Sequence, residues 1–329
     1  MIRRLAALLL LLVVAGAAAY AWVARRPLPL PEQPYGFTVR SGESLRAVAR
    51  DLTAAGVLPA DWTLVALARL KRVDRTIKAG NYELPAGTTL AGLLAKLTQG
   101  DVTQTSFTIV EGWSWRELRE ALLSEPDVAK TVLDRPDAEV MRAIGAGDTG
   151  PEGWFFPDTY FFAAGASDAS LLKRAHSEMR RRLESAWANR TPDVPLKSPY
   201  EALVLASIVE KETGHAGDRP LIASVLENRL QHGMRLQADP TVIYGIGERF
   251  DGNLTRRDLD SDTAYNTYQR DGLPPTPIAL PGQASLDAVL HPPSTPYLYF
   301  VSRGDGSSEF SASLADHNRA VARYQRGPR

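Results

Sequence analysis

Glu210 and Glu212, in the stretch LASIVEKETG at 205–214, are the side chains whose setting best suits acid–base chemistry. They close an apolar segment that reads as a helix. Ser198 suits the N-cap, Pro199 the first helical position, and Glu201 completes a capping box. Residues 202–209 are apolar nearly all round, which predicts a buried helix, and Gly214 offers a stop. Two residues along a helix turn ~200°, so the glutamates face opposite ways and do not share a site. Side chains lean toward the preceding turn, which sets Glu212 over Ile208 and Val209, and Glu210 over Ala206 and Ser207. Glu212 therefore has the apolar neighbours, and desolvation raises a carboxyl pKa toward the range of a general acid. The alternative is a pair of solvated charges at a frayed helix end.

Polar-aromatic clusters follow downstream: GMRLQADPTVIYG at 233–245, TAYNTY at 263–268, GLPPTPIALPG at 272–282 and HPPSTPYLYFV at 291–301. Sugars are held by aromatic faces beneath their CH groups, with amides and hydroxyls aimed at the rim. Gln237, Tyr244, Tyr265, Asn266 and Tyr268 supply that mixture. Loop packing would use the same residue types. A hydrolase with two carboxylates needs a partner ~5–9.5 Å from the acid, and Asp239 is the candidate, although Asp-Pro commonly marks a turn.

Composition narrows the function classes. The 329 residues carry 38 Lys plus Arg against 38 Asp plus Glu, and this zero net charge argues against nucleic acid as a partner. There is no cysteine, so thiolate chemistry and disulfides are excluded. The five histidines show no metal-ligand spacing, and neither a metal nor a cofactor is expected. No glycine-rich phosphate loop or repeated βαβ pattern is present. Residues 5–24 are uncharged and, as a helix of ~30 Å, long enough to cross a bilayer. Arg3 and Arg4 before them favour a cytoplasmic amino terminus, with a cleaved signal peptide as the rival reading.

The elements that must position the chemistry form an α+β chain. Its expected divisions are a cytoplasmic tip and transmembrane anchor at 1–26, a proline-rich spacer at 27–35, a small α/β module at 36–100, and a mixed α+β catalytic domain at 101–329. In the module, a strand at 37–39 precedes a helix at 44–52 capped by Ser41. A second helix at 62–70, a strand at 80–84 and a helix at 90–97 follow. FTVRSGESLRAVA at 37–49 is echoed by FTIVEGWSWRELR at 107–119, which suggests an internal duplication. Further expectations are a strand at 105–110, a helix from Ser114 to Leu123, a loop-rich connector at 136–150 and helices at 170–189 and 220–232. A hairpin at 297–313 and a closing helix at 314–324 complete the series.

The opening FTVRSGESLRAVARDL resembles the start of a LysM module, a unit that binds N-acetylglucosamine-type glycans. LASIVEKETG, ENRLxxGMRLQADPTVIYG, TAYNTY, GLPP…PG and HP…TPYLYFV, in this order and with EGWFFPDTY at 152–160, resemble the membrane-bound endolytic murein transglycosylases of bacteria. That resemblance covers nearly the whole chain. It implies a lysozyme-like catalytic domain that cuts peptidoglycan between N-acetylmuramic acid and N-acetylglucosamine, leaving 1,6-anhydro ends. It also implies a single-pass inner-membrane protein with a periplasmic catalytic part, associated with peptidoglycan synthases. The family's acid falls on Glu212, and Gln237, Tyr244, Tyr265 and Asn266 match polar positions expected to line the glycan cleft. Thr276 stands where the family usually has glycine and Leu280 where a small polar residue is common, so the 272–282 loop is expected to differ in shape. An inactive glycan-binding adaptor and a hydrolytic muramidase are the competing functions.

Overall fold

The computed structural model describes residues 25–40, 42–101 and 104–325. The expected membrane segment at 5–24 and Ser41 lie outside them. Among the described residues no helix is long and apolar enough to cross a membrane. The chain divides into two compact units. Among the described residues, one holds those from 25 to 106 with 126–129 and 161–166, and the other holds 107–125, 130–160 and 167–325.

The first unit is built on β1 (Tyr35–Val39) and β2 (Gly80–Leu84), paired antiparallel from Tyr35 opposite Leu84 to Val39 opposite Gly80. Between them in sequence lie α1 (Leu45–Ala54) and α2 (Asp61–Leu70), and α3 (Leu90–Gln99) follows. The cap of α1 is Ser44, whose side chain accepts from the Ala47 N–H, in place of the expected Ser41. Leu45, Val48, Ala49 and Leu52 recur at helical spacing and enter a core with Leu64, Leu67, Tyr82 and Leu94. Residues 27–30 of the proline-rich stretch lie against this unit rather than standing free. Leu28 donates its N–H to the Thr88 carbonyl at 2.8 Å, and Leu28 and Leu30 pack on the core.

Two further strand pairs form, β3 (Gln104–Thr108) with β5 (Thr159–Ala163) and β4 (Val128–Ala129) with β6 (Ala166–Ser167). The sequence echo is kept in the backbone. After β3, Gly112 at φ +78° precedes Ser114, which caps α4 (Trp115–Ser124) with a complete capping box. After β1, Gly42 at φ +79° precedes the Ser44 cap. The stretch 136–150, expected to be loop, contains a short helix α5 (Asp137–Ala143) that buries Val140 and Met141.

In the second unit α6 (Asp168–Ala188), α7 (Pro199–Glu212), α8 (Arg219–Gln231), α9 (Asp239–Ile246) and, after the short α10 (Arg256–Leu259), α11 (Gln283–Leu290) share one apolar core. α7 is its axis: every residue from Ala202 to Val209 is buried, as its all-round apolar sequence requires. Its start differs from expectation in one bond. Ser198 accepts from the Glu201 N–H, but the Glu201 carboxylate accepts from the Lys197 N–H and not from the cap residue. Its end also differs, since Thr213 turns extended at once and Gly214 keeps out of the left-handed region. A hairpin, β7 (Tyr299–Ser302) and β8 (Ser308–Ser311), and α12 (Leu314–Tyr324) close the unit.

α8 carries one costly side chain. Glu227 is 3% exposed, its Oε1 has no hydrogen-bond partner, and burial pushes its carboxyl up to about 8. A carboxyl raised in the folded state is held there as the neutral acid. Its contribution therefore turns unfavourable as pH rises above the ordinary value of 4.5 toward about 8. The limit is about 1.4 kcal/mol per pH unit. Glu227→Leu is expected to stabilise the fold at alkaline pH and to flatten this slope, read as melting temperature against pH.

Candidate active site

The end of α7 presents its two glutamates to different neighbours. Glu210 turns toward α11: its Oε2 accepts from the Gly282 N–H at 2.9 Å and the Ser285 hydroxyl at 2.7 Å, and Arg219 lies 3.5 Å from Oε1. Gly282 is the cap residue of α11, so this carboxylate ties down the first free N–H at that helix start and sits at its positive end. Glu210 is thereby committed to structure. The neighbouring Glu111 is pushed upward by its own burial and then by the charge of Glu210, against the pull of Arg219.

Glu212 is half-buried on the other side. Burial, and then the like charge of Asp239, push its carboxyl up to about 8 against the opposing pull of Arg229. No hydrogen bond contributes to this value. Glu212 thus holds its proton at neutral pH and is free to hand it on.

The groups around it are placed by α8 and α9. Asp239-Pro240 does not make a turn; it opens α9, where the first helical turn tolerates proline and favours an anion. The Tyr268 hydroxyl donates to Asp239 at 2.6 Å. Arg229, 7% exposed, donates from Nε to the Leu298 carbonyl at 2.7 Å and from Nη1 to the Leu236 carbonyl at 2.8 Å. Its guanidinium lies 5.3 Å from the centre of the Tyr299 ring. It also reaches the Gln237 side chain at 3.5 Å. Gln237 has φ +49°, a conformation that a non-glycine residue keeps only where its surroundings hold it. Here the Arg229 bonds and the Gln237 N–H to the Thr267 carbonyl, at 3.1 Å, do the holding.

Tyr244 and Tyr265 come together edge to face, with ring centres 4.8 Å apart. The Tyr244 hydroxyl donates to Glu152 Oε2 at 2.9 Å, and Tyr265 exchanges a hydrogen bond with Thr276 at 2.9 Å. Both rings line a cavity of about 1010 Å³ with Trp115, Glu152, Lys211 and Ile278. Lys211 and Pro240, the chain neighbours of Glu212 and Asp239, are part of this lining, and the two carboxylates are not.

The structure places three of the expected positions. Asn266 is fully buried and absent from the cavity lining; its Nδ2 donates to the carbonyls of Leu259 and Ser261, and its Oδ1 accepts from the Tyr268 N–H. It shapes the loop that carries its neighbours Tyr265 and Tyr268. Gln237 is exposed but is not part of the cavity wall. Thr276 avoids positive φ, and its hydroxyl ties Tyr265 to the Pro277 carbonyl, while Leu280 is buried and pairs by backbone with Gly112 and Trp113.

Sequence reasoning missed Arg229 and Glu152. The ENRL run was visible as a motif, but nothing local reveals that Arg229 serves the Leu298 carbonyl 69 residues away. Glu152 opens the aromatic block at 152–162, and that position was its only signal. Among the described residues no group of three His, Asp or Glu side chains could hold a metal ion.

The sequence matches the YceG-like family over residues 37–323. It is similar to the endolytic murein transglycosylase of Bacillus subtilis (strain 168), with 31% identity over 339 residues, 95% of this chain and 91% of that one. It is 25% identical over 353 residues to the endolytic murein transglycosylase of Streptococcus pneumoniae serotype 2, covering 96% of this chain and 63% of that one. The fold is similar to the crystal structure of a YceG-like protein from Listeria monocytogenes, with TM-score 0.54 and 26% identity over 87% of this chain and 99% of that one.

Proposed function

This chain belongs to the YceG-like family, and from that premise we propose that it is a lytic transglycosylase that cuts the glycan strands of murein internally, with Glu212 as its acid and base. The observation that carries the reading is the Glu212 carboxyl, desolvated at the end of a buried helix and held protonated near neutral pH beside Asp239. In the first step Glu212 gives its proton to the glycosidic oxygen as the bond to the muramic anomeric carbon breaks. The carboxylate left behind takes the proton from the muramic 6-hydroxyl, whose oxygen forms the new bond to that carbon. The proton count closes without water, and one carboxyl group serves both steps. The Asp239 carboxylate, fixed by Tyr268, stabilises positive charge that develops on the sugar. Tyr244 and Tyr265 offer sugar rings an apolar wall.

Incubation of the full chain with purified sacculi tests the reading. Endolytic cutting shortens the mean strand early, with little release of single disaccharides. Strands of unchanged length would overturn it. A second reading, a hydrolase, is favoured by one observation: Asp239 is a second carboxylate close enough to bear on the charge of Glu212.

The alkaline limb of the pH–rate profile should follow Glu212, with activity falling as pH rises past about 8 because the acid is lost. Asp239→Asn removes the like charge that raises this carboxyl, so the limb is expected to move to lower pH. A limb that stays in place would separate Asp239 from the acid.

The surrounding organisation belongs to the same proposal. Residues 5–24 are read as a single-pass anchor in the bacterial inner membrane, with the remainder periplasmic, because they are uncharged over the length of a bilayer. Residues 36–100 are read as a LysM-like module that holds the strand, supported by the two helices set between paired strands. Residues 101–329 are read as the lysozyme-like catalytic domain. Work on nascent strands would bring the enzyme beside peptidoglycan synthases. Protein that leaves washed membranes without detergent would contradict the anchor.

A further inference from the structure

The wall of the large cavity contains a carboxylate that the acid–base chemistry does not use. Glu152 Oε1 accepts from the Trp115 backbone N–H at 2.9 Å and Oε2 from the Tyr244 hydroxyl at 2.9 Å. A carboxylate has about four acceptor positions; the Gly153 N–H also bonds this carboxyl, so one position remains for a ligand. The carboxyl itself is fixed from both ends of its loop. Gly153 sits at φ +82° against Pro277 and Leu203, where an added Cβ would come within 2.5 Å of Pro277. Trp115 is stacked on Phe155 at 5.1 Å, and its indole donates to Asp137 at 3.0 Å. Burial pushes Glu152 upward, to about 7, although it lines the cavity. The Tyr244 ring adjoins it and packs on Tyr265, and the same lining adds the apolar Ile243 and Ile278 alongside the charged Arg116, Glu117 and Lys211.

An acceptor fixed beside an apolar wall matches one group of an amino sugar, the acetamido substituent, whose N–H donates and whose methyl is apolar. A plain hydroxyl satisfies only the acceptor and leaves the apolar wall facing a polar group. We propose that Glu152 is a specificity-determining residue that accepts the acetamido N–H of a strand sugar, with the methyl against the Ile243–Tyr244–Ile278 wall. This rests on the murein-cutting reading and names what that cavity recognises. Tyr244 then serves twice, as part of the apolar wall and as the donor that fixes the rotamer of Glu152.

The test compares two neutral β-1,4 oligosaccharides of equal length, one of N-acetylglucosamine and one of glucose, which differ in the acetamido group. Binding is measured on the full chain by NMR titration of the Tyr244 and Tyr265 ring resonances, which report the cavity and not glycan held by residues 36–100, with murein cutting followed in parallel. The unaltered protein is expected to bind the acetylated oligomer about tenfold more tightly. Glu152→Gln is expected to erase most of that ratio, because its amide cannot accept the Trp115 and Tyr244 bonds together and still present an acceptor. A ratio that survives in a folded Glu152→Gln protein overturns the proposal, as does equal binding of both oligomers by the unaltered protein. If that variant fails to fold, intermolecular NOEs from the Tyr244 and Tyr265 rings of the unaltered protein decide. NOEs to the acetyl methyl support the site, and NOEs confined to sugar ring protons overturn it. Murein cutting with no acetamido preference would sink this subsite alone, whereas intact murein would sink the reading beneath it.

Discussion

Glu212→Gln is expected to lower the rate of strand cutting by about a thousand-fold or more while the protein stays folded. Glutamine keeps the shape of the side chain but neither gives nor takes the proton that both steps require. The fold should not suffer, because no hydrogen bond contributes to the setting of this carboxyl. Stability should in fact rise at alkaline pH. The folded-state pKa of Glu212 is raised to about 8 from 4.5, so the folded protein loses stability as pH climbs through that interval, and the glutamine variant does not share the loss. Kinetics on sacculi and thermal melts near and above pH 8 check both halves. Glu210→Gln should behave in the opposite way, weakening the bonds that start α11 at Gly282 and Ser285 and reducing stability ahead of chemistry. Equal loss of activity in two equally stable variants would contradict the assignment of different faces to the two glutamates.

Arg229→Ala is expected to cost about 3 kcal/mol of stability and most of the activity. The carbonyls of Leu236 and Leu298 lose a charged donor, and the stacking on Tyr299 is lost with it. Gln237 would then relax from its left-handed conformation, and the segment leading into Asp239 would lose its register. A second effect is electrostatic. Arg229 is the charge that lowers the Glu212 carboxyl, so residual activity should keep its alkaline limb at a higher pH than the unaltered protein. Asp239→Asn moves that limb the other way. Opposite shifts from one cation and one anion would tie both groups to the same acid. Chemical denaturation and a pH–rate profile measure the two effects, and unchanged stability would remove Arg229 from its positioning role.

The α+β organisation was legible because it rests on local patterns. The all-round apolar run from Ala202 to Val209 could only be a buried helix, and the angle between positions 210 and 212 follows from helix geometry alone. α9 and α11 were hidden by their flanks. Asp-Pro at the start of α9 and Pro-Gly before α11 read as turns, yet proline is tolerated in a first helical turn and the Gly282 N–H is bonded by Glu210 from another helix. The placing of Asn266 was not legible, since an amide that binds sugar and one that folds its own loop are the same residue in a sequence. Glu152 and Tyr244 meet across 92 positions of the chain, beyond the reach of any periodicity. What a sequence conceals here is which polar group is already satisfied, because that depends on partners brought in from elsewhere in the fold.

The most direct measurement is mass spectrometry of murein strands cut by the full chain in oxygen-18 water, with the Glu212→Gln protein alongside. Proton transfer through one carboxyl to an internal 6-hydroxyl predicts 1,6-anhydro ends that carry no label and are absent with the variant. Labelled reducing ends would show that water is the nucleophile, contradict the transglycosylase chemistry, and make Asp239 the second carboxylate of a hydrolase.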